Sequence, residues 1–130
     1  MKEIRFLTID EIKAIHKNQI ELYGGTSEIR DENLLLSAIA MPSAGYSDRY
    51  FHVDLFQMAG AYCYHICQNH PFVDGNKRTA LASALVFLDL NGIMIFDNAS
   101  SLYEIVLSVA EGKINKIDVA DCLRRLANKK

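Results

Sequence analysis

One segment of this sequence can lie only inside a fold or a membrane. From Thr79 to Leu88 the chain reads TALASALVFL, so a helix here would be apolar on nearly every side. A helix that is apolar all round is normally buried by other elements. The segment is too short to span a bilayer. It therefore predicts a buried central helix, running from about Asn76 to Leu90, that the rest of the chain surrounds.

Helix start and stop signals divide the first part of the chain. A capping box at 8–11, with Thr8 as the N-cap, opens one helix, and the glycines at 24–25 end it. Asp31 begins a second helix, which Pro42 stops. Residues 43–53 have the composition of a loop with aromatic side chains. These signals predict two helices before Pro42.

Similar signals organise the rest of the chain. Asp54 caps a third helix, and Asn115 or Asp118 begins the last one. The only strand-like run is IMIF, at 93–96, and no repeat or linker interrupts the chain. The length of 130 residues fits one hydrophobic core. We therefore predict an all-α fold, a single compact domain over 1–130 with about six helices around a buried central helix.

Composition narrows the class of protein. The formal net charge of -2 argues against a protein that coats nucleic acid, because the phosphate backbone selects for a strong basic excess. The three cysteines have no disulfide-framework spacing, and the first residues carry charges where a signal peptide would be apolar. We expect a cytoplasmic protein that binds neither nucleic acid directly nor a membrane.

The segment at 69–80, NHPFVDGNKRTA, is the least ordinary part of the sequence. It ends an apolar segment and places two adjacent cations, Lys77 and Arg78, where the central helix begins. Acidic residues favour the positive end of the helix dipole, so cations there oppose it. Because a helix N-terminus binds anions, we interpret Gly75, Asn76, Lys77 and Arg78 as a phosphate-binding group.

Two further residues of the segment have the chemistry of phosphoryl transfer. Asp74 is the one anion beside the cations, and Mg²⁺ usually takes one or two carboxylates together with phosphate oxygens. Histidine as a residue type titrates near neutral pH, so His70 is the candidate general base for a hydroxyl nucleophile. A purely structural interpretation remains as an alternative. In it, His70 caps the third helix, Asp74 caps the fourth, and both cations are solvated.

Other polar residues have simpler interpretations. We expect His16, His52 and His65 at the surface or at helix ends. Arg30 either reaches the phosphate site or pairs with a nearby acid, as surface arginines commonly do. A metal site that combines Cys63 and Cys67 with His70 is conceivable, but a closed zinc site needs a fourth ligand. Buried packing is the usual role of free cysteines.

The run HPFVDGNKRTA closely resembles the signature of Fic-fold proteins, and specifically of their death-on-curing (Doc) branch, the toxins of bacterial toxin–antitoxin systems. The segments FLTIDEIKAIHKNQIELYGG, IRDENLLLSAIAMP and FLDLNGIMIFD are similar to Doc segments in the same order. Fic proteins that transfer AMP typically carry a glycine at the position of Lys77 and an arginine at that of Leu81. Both departures match the Doc branch.

The resemblance implies a Doc-like protein kinase that transfers the γ-phosphate of ATP to a threonine of elongation factor Tu and so inhibits translation. His70 would be the base, Asp74 would hold Mg²⁺, and Asn76, Lys77 and Arg78 would bind phosphates. The family's self-inhibitory pattern has no clean copy here, which implies a small antitoxin as partner. Two alternatives are an AMP transferase and a catalytically silent antitoxin-binding module in a repressor complex.

Overall fold

Two long helices lie side by side at the centre of the fold. The computed structural model describes residues 3–96 and 101–127. Its helices are α1 (Ile9–Tyr23), α2 (Glu32–Ala40), α3 (Leu55–Asn69), α4 (Asn76–Leu90), α5 (Ser101–Ala110) and α6 (Lys116–Leu126). Helix α3 packs along α4 and also contacts α2, α5 and α6, while α1 packs on α4. The predicted all-α class is therefore confirmed.

Side-chain caps begin four of these helices where the sequence predicts them. Thr8 accepts a hydrogen bond from the backbone N–H of Glu11, whose carboxylate accepts one in return, which completes the predicted capping box. Asp31 and Asp54 accept hydrogen bonds from backbone N–H groups at the starts of α2 and α3, and Asn115 forms a second capping box with Asp118 at the start of α6. Each cap satisfies N–H groups that have no partner inside the helix.

The predicted loop at 43–53 contains a small hairpin. Strand β1 (Gly45–Tyr46) pairs antiparallel with β2 (Arg49–Tyr50), in the register Gly45 to Tyr50 and Tyr46 to Arg49. It is the only sheet among the described residues. The strand-like run at 93–96 contributes one isolated bridge, from Ile95 to Ala127, and no strand.

The core lies between α3 and α4 and is closed by the outer helices. Its largest fully buried side chains include Tyr62, Phe72, Phe87, Ile12, Leu35, Met58 and Ile66. The hydroxyl of Tyr62 accepts a hydrogen bond of 2.8 Å from the N–H of Leu7, which fastens the N-terminal segment to α3. Helix α4 is buried on the side that faces α3, but Val86 and Leu90 on its other side are exposed. The predicted central helix is thus one half of a central pair.

All three cysteines are buried and none of them forms a disulfide bond, in agreement with the packing role predicted for them. Burial raises the pKa of the Cys63 thiol well above its ordinary value. In the part of the chain that the structure describes, no helix is both long and apolar enough to cross a membrane.

Candidate active site

The motif loop leaves α3 through a left-handed residue. His70 is the C-cap of α3, with φ 51° and ψ 54°, and its N–H donates to the carbonyl of Ile66. Positive φ angles are uncommon outside glycine, although histidine adopts them more often than most residues. The side chain of His70 is exposed. The backbone of His70 thus ends the helix, as the purely structural interpretation predicts, and leaves the imidazole accessible to a substrate.

Arg30 holds this turn from the α1–α2 connection. Its Nε donates to the carbonyl of His70 at 2.7 Å, and its Nη2 donates to the carbonyl of Asn69 at 3.0 Å. Its backbone N–H donates to the carbonyl of Pro71 at 2.7 Å. Both expectations for Arg30 are wrong, because its side chain pairs with no acid in the described ranges and does not line the phosphate pocket. It neutralises the carbonyl end of α3 instead.

Asn76 closes the motif loop on itself. Its side chain is 5% exposed; Oδ1 accepts from the N–H of Phe72 at 2.9 Å, and Nδ2 donates to the carbonyl of Phe72 at 2.8 Å. Nδ2 also lies 3.3 Å from Nδ1 of His70. This amide is therefore occupied within the loop, and the group that Asn76 offers to a phosphate is its backbone N–H.

His16 supports the loop from α1. Its ring stacks on that of Phe72, with centroids 3.7 Å apart and planes 8° apart, and its Nε2 donates to the carbonyl of Asp74 at 2.8 Å. The residue is only 2% exposed, so its expected place at the surface is wrong. Burial lowers the pKa of His16, against a smaller opposing effect of Asp74. His52 is buried as well, at 7% exposure.

Asp74 is exposed, and the loop holds its carboxylate at one oxygen. Oδ2 accepts a hydrogen bond of 3.0 Å from the backbone N–H of Thr26. A Cβ at Gly25 would lie only 3.0 Å from the Cβ of Asp74, and Gly25 has φ +111°, so glycine is required there. The second carboxylate oxygen has no hydrogen-bond partner among the described residues. Asp74 therefore offers one free oxygen to a ligand.

Helix α4 begins without a side-chain cap. Its N-cap is Gly75, with φ +79°, and not Asp74 as the purely structural interpretation predicts. The backbone N–H groups of Asn76, Lys77 and Arg78 find no acceptor within the described residues. A Cβ at position 75 would come within 3.0 Å of the Ile20 side chain, so glycine is also the residue that fits. The helix thus presents free donors and the positive end of its dipole.

The two motif cations extend this positive end. Lys77 and Arg78 are half-buried rather than fully exposed as predicted, and neither makes an ion pair or hydrogen bond with any described residue. The guanidinium carbon of Arg78 lies 3.7 Å from the ring centroid of Tyr23 and 4.3 Å from that of Tyr103. The rings therefore hold Arg78, and the donors of both cations have no acceptor among the described residues.

The N-terminus of α4 and the residues Asp74, Lys77 and Arg78 line a polar pocket of about 270 Å³, and His70 is not among its lining residues. This volume is slightly below the range of about 300–1,000 Å³ typical of pockets for drug-sized ligands, and it suits phosphate groups more than a whole nucleotide. A larger cavity of about 430 Å³ lies on the other side of Tyr103, between α4 and α5. Its lining is mainly aliphatic and includes none of the motif residues, so we assign the site to the smaller pocket.

The donor set suits one kind of metal ion. No group of three or more His, Cys, Asp or Glu side chains in the described part of the chain could enclose a metal. Cys63 and Cys67 are buried while His70 is exposed, so the conceivable three-residue site is not assembled. A single free carboxylate oxygen beside an anion site fits Mg²⁺, which shares its coordination with phosphate oxygens and water. Asp74 is the residue that would hold it.

Comparison with known proteins agrees with these features. The Fic/DOC family model matches residues 6–88. The protein kinase doc of Escherichia phage P1 is 36% identical over 123 residues, which cover 95% of this chain and 96% of the relative. The toxin Doc of Mycolicibacterium smegmatis (strain ATCC 700084 / mc(2)155) is 34% identical over 100 residues, or 77% of this chain and 72% of the relative.

Proposed function

This chain belongs to the Fic/DOC family and, within it, to the Doc toxins, and on that premise we propose that it is a protein kinase. The donor would be Mg·ATP, the group transferred its γ-phosphate, and the acceptor a threonine hydroxyl of elongation factor Tu. Modification of that factor would inhibit translation. One relative carries the name protein kinase doc, which supports the choice of reaction.

The observation that carries the proposal is the convergence of unpaired positive groups on one pocket. The uncapped N-terminus of α4 and the side chains of Lys77 and Arg78 line it, and none of them has an anionic partner among the described residues. Half-buried cations without a partner are costly unless a ligand supplies the anion. A chain of phosphate groups is that ligand, since backbone donors, a dipole and two cations all favour it.

The reaction would proceed by in-line transfer. His70 accepts the proton of the target hydroxyl on the ring nitrogen that lacks one, and the hydroxyl oxygen attacks the γ-phosphorus. The bond from the γ-phosphorus to the bridging oxygen breaks, and ADP leaves with that electron pair. Lys77, Arg78 and the α4 N–H groups stabilise the charge on the phosphate oxygens, which is the main work of the protein in phosphoryl transfer.

Asp74 would hold the magnesium ion that accompanies ATP. The ion would neutralise charge on the phosphates. Lys77 supports transfer of the terminal phosphate rather than of AMP, because its side chain fills space that a glycine would leave open against the backbone. The nucleotide would then bind with its γ-phosphate near His70. Because Doc relatives are toxins, a cognate antitoxin is the implied partner, and we place both proteins in the cytoplasm with the target.

A labelling experiment tests the reaction. The purified protein is incubated with elongation factor Tu and MgATP that carries the label on either the α- or the γ-phosphate. We expect label on the factor only from γ-labelled ATP. His70→Ala should reduce transfer by about 10²–10⁴-fold, the usual contribution of a general base. ATP affinity should change little, because His70 contacts the hydroxyl and not the phosphates.

His65→Ala is the matched control, since His65 lies within α3 and outside the motif segment at 69–80. It should transfer phosphate at the wild-type rate. Transfer of the α-label would establish an AMP transferase and refute the kinase. Equal transfer by the wild type and His70→Ala would remove His70 as the base. No transfer from either label, with every variant folded, would favour a silent antitoxin-binding module.

A further inference from the structure

Two aromatic rings contact Arg78. Its guanidinium carbon lies over the ring of Tyr23, 3.7 Å from the centroid, and over the ring of Tyr103, 4.3 Å from the centroid. No described residue accepts a hydrogen bond from the guanidinium or pairs with it. A guanidinium carries its five N–H donors around the edge of its plane. The two rings therefore restrain the group while its donors remain available to a ligand.

Three separate elements build this arrangement. Tyr23 is the last residue of α1, Arg78 lies in the first turn of α4, and Tyr103 lies in the first turn of α5. Both rings line the same pocket as the motif residues. Tyr23 is 59% exposed, so its ring contributes little to the core. Burial alone does not explain why a tyrosine occupies that position.

We propose that Tyr23 and Tyr103 are positioning residues that hold the Arg78 guanidinium in the pocket with its edge directed at phosphate oxygens. The proposal rests on the proposed function, because it assumes that the pocket binds the phosphates of ATP. A free arginine side chain loses rotamer freedom when it binds a ligand. The two rings restrict the side chain before the nucleotide binds, so that less rotamer freedom is lost on binding. Their π-faces also favour the cation.

Ring-removing and ring-preserving substitutions separate positioning from other roles. Tyr23→Leu and Tyr103→Leu each remove one ring face, whereas Tyr23→Phe and Tyr103→Phe keep it and lose only the hydroxyl. Tyr46→Leu is the matched control, since Tyr46 is an exposed tyrosine of the hairpin, outside this pocket. Affinity for MgATP is measured by calorimetry, and the unfolding temperature of each variant shows whether it is folded.

We expect each leucine variant to bind MgATP about three- to tenfold more weakly, the effect of ordering one flexible side chain. The phenylalanine variants and Tyr46→Leu should bind like the wild type. In an Arg78→Ala background the leucine substitutions should cause no further loss, because the rings act only through Arg78. The Arg78 side-chain NMR resonances should lose part of their upfield ring-current shift in each leucine variant and keep it in the phenylalanine variants.

Other results would overturn the positioning role. Folded leucine variants that bind MgATP like the wild type would do so, and so would a full additional loss in the Arg78→Ala background. Failure of the proposed function gives a different pattern: wild-type binding and the ring effects persist, but no phosphate reaches elongation factor Tu. A wild type that binds no MgATP would overturn both proposals together.

Discussion

The side-chain amide of Asn76 pairs with both backbone groups of Phe72 and also approaches His70. Asn76→Ala would leave a buried N–H and a buried carbonyl without partners. Unpaired buried polar groups cost about 1–3 kcal/mol each. We expect Asn76→Ala to lower both the free energy of unfolding and the transfer rate, measured by urea denaturation and phosphate labelling.

Lys77→Ala is the control at the neighbouring position. Lys77 has no partner among the described residues, so its removal should not lower the free energy of unfolding and should weaken ATP binding. If Asn76→Ala has wild-type stability and loses only ATP affinity, Asn76 is a phosphate ligand rather than part of the loop.

The magnesium-binding role proposed for Asp74 can be tested separately from its role in the fold. An amide oxygen in Asp74→Asn still accepts the hydrogen bond from the N–H of Thr26, so the free energy of unfolding should stay within about 0.5 kcal/mol of the wild type. The neutral oxygen is a much poorer ligand for Mg²⁺. We expect transfer by this variant to need a higher Mg²⁺ concentration, measured by titration at fixed ATP. Identical Mg²⁺ curves for the two proteins would exclude Asp74 as the magnesium ligand.

The sequence indicated which residues gather at the site but not where their side chains point. Acidic side chains are normally favoured at a helix N-terminus, so two adjacent cations there stand out in the sequence. This exception is why Lys77 and Arg78 were predicted as phosphate-binding residues. The burial of Asn76 and the stack of His16 on Phe72 depend on contacts between elements distant in sequence. A pattern along one helix does not contain such contacts. For the same reason Tyr23 and Tyr103 were missed.

At the scale of elements, local signals predicted most of the fold. Caps at Thr8, Asp31, Asp54 and Asn115 act over three residues, so they can be read from the sequence, and all four were confirmed. The hairpin has strands of only two residues and was not predicted, because two residues show no alternation. How α3 and α4 share the centre depends on packing, which the apolar pattern of α4 alone does not determine.

The contact between α3 and α6 allows a test at this scale. A Cβ added at Gly60 would lie 2.6 Å from the backbone carbonyl oxygen of Lys116. Alanine is favoured over glycine in a helix interior by up to about 1 kcal/mol. Overpacking typically costs about 1–3 kcal/mol, and a backbone carbonyl cannot rotate aside. We expect Gly60→Ala to be destabilised by about 1–2 kcal/mol in urea denaturation. A gain in stability would mean that α6 moves freely on α3.

For the whole molecule, stability should depend on pH through histidines that fold in the neutral form. Burial is the largest effect that lowers the pKa values of His16, His52 and His65, and for His65 the pKa falls to about 4. Lys116 adds to the effect at His52 and His65, and its Nζ lies 3.4 Å from Nε2 of His65. A cation so close disfavours the imidazolium form.

The sign of the dependence follows from linkage. An unfolded histidine takes up its proton near pH 6.5, whereas these residues resist protonation in the folded state. Their contribution to stability is therefore complete above pH 6.5 and is lost progressively as the pH falls towards about 4, the lowered value at His65. Glu11 affects stability at lower pH, because its hydrogen bond with Arg5 lowers its pKa from 4.5 to about 2. Its contribution is present above pH 4.5 and is lost below it.

Urea denaturation between pH 7.5 and 4.5 separates the effect of the histidines on stability from that of Glu11. The wild type should keep its stability from pH 7.5 to about 6.5 and lose it steadily as the pH falls from there to 4.5, above the pH at which the contribution of Glu11 is lost. His65→Gln cannot be protonated and should show a shallower pH dependence, whatever its stability at pH 7.5. Glu11→Gln should keep the wild-type slope in this range, since its window lies lower. A wild-type free energy of unfolding that is flat from pH 7.5 to 4.5 would show that these histidines are not held neutral by the fold.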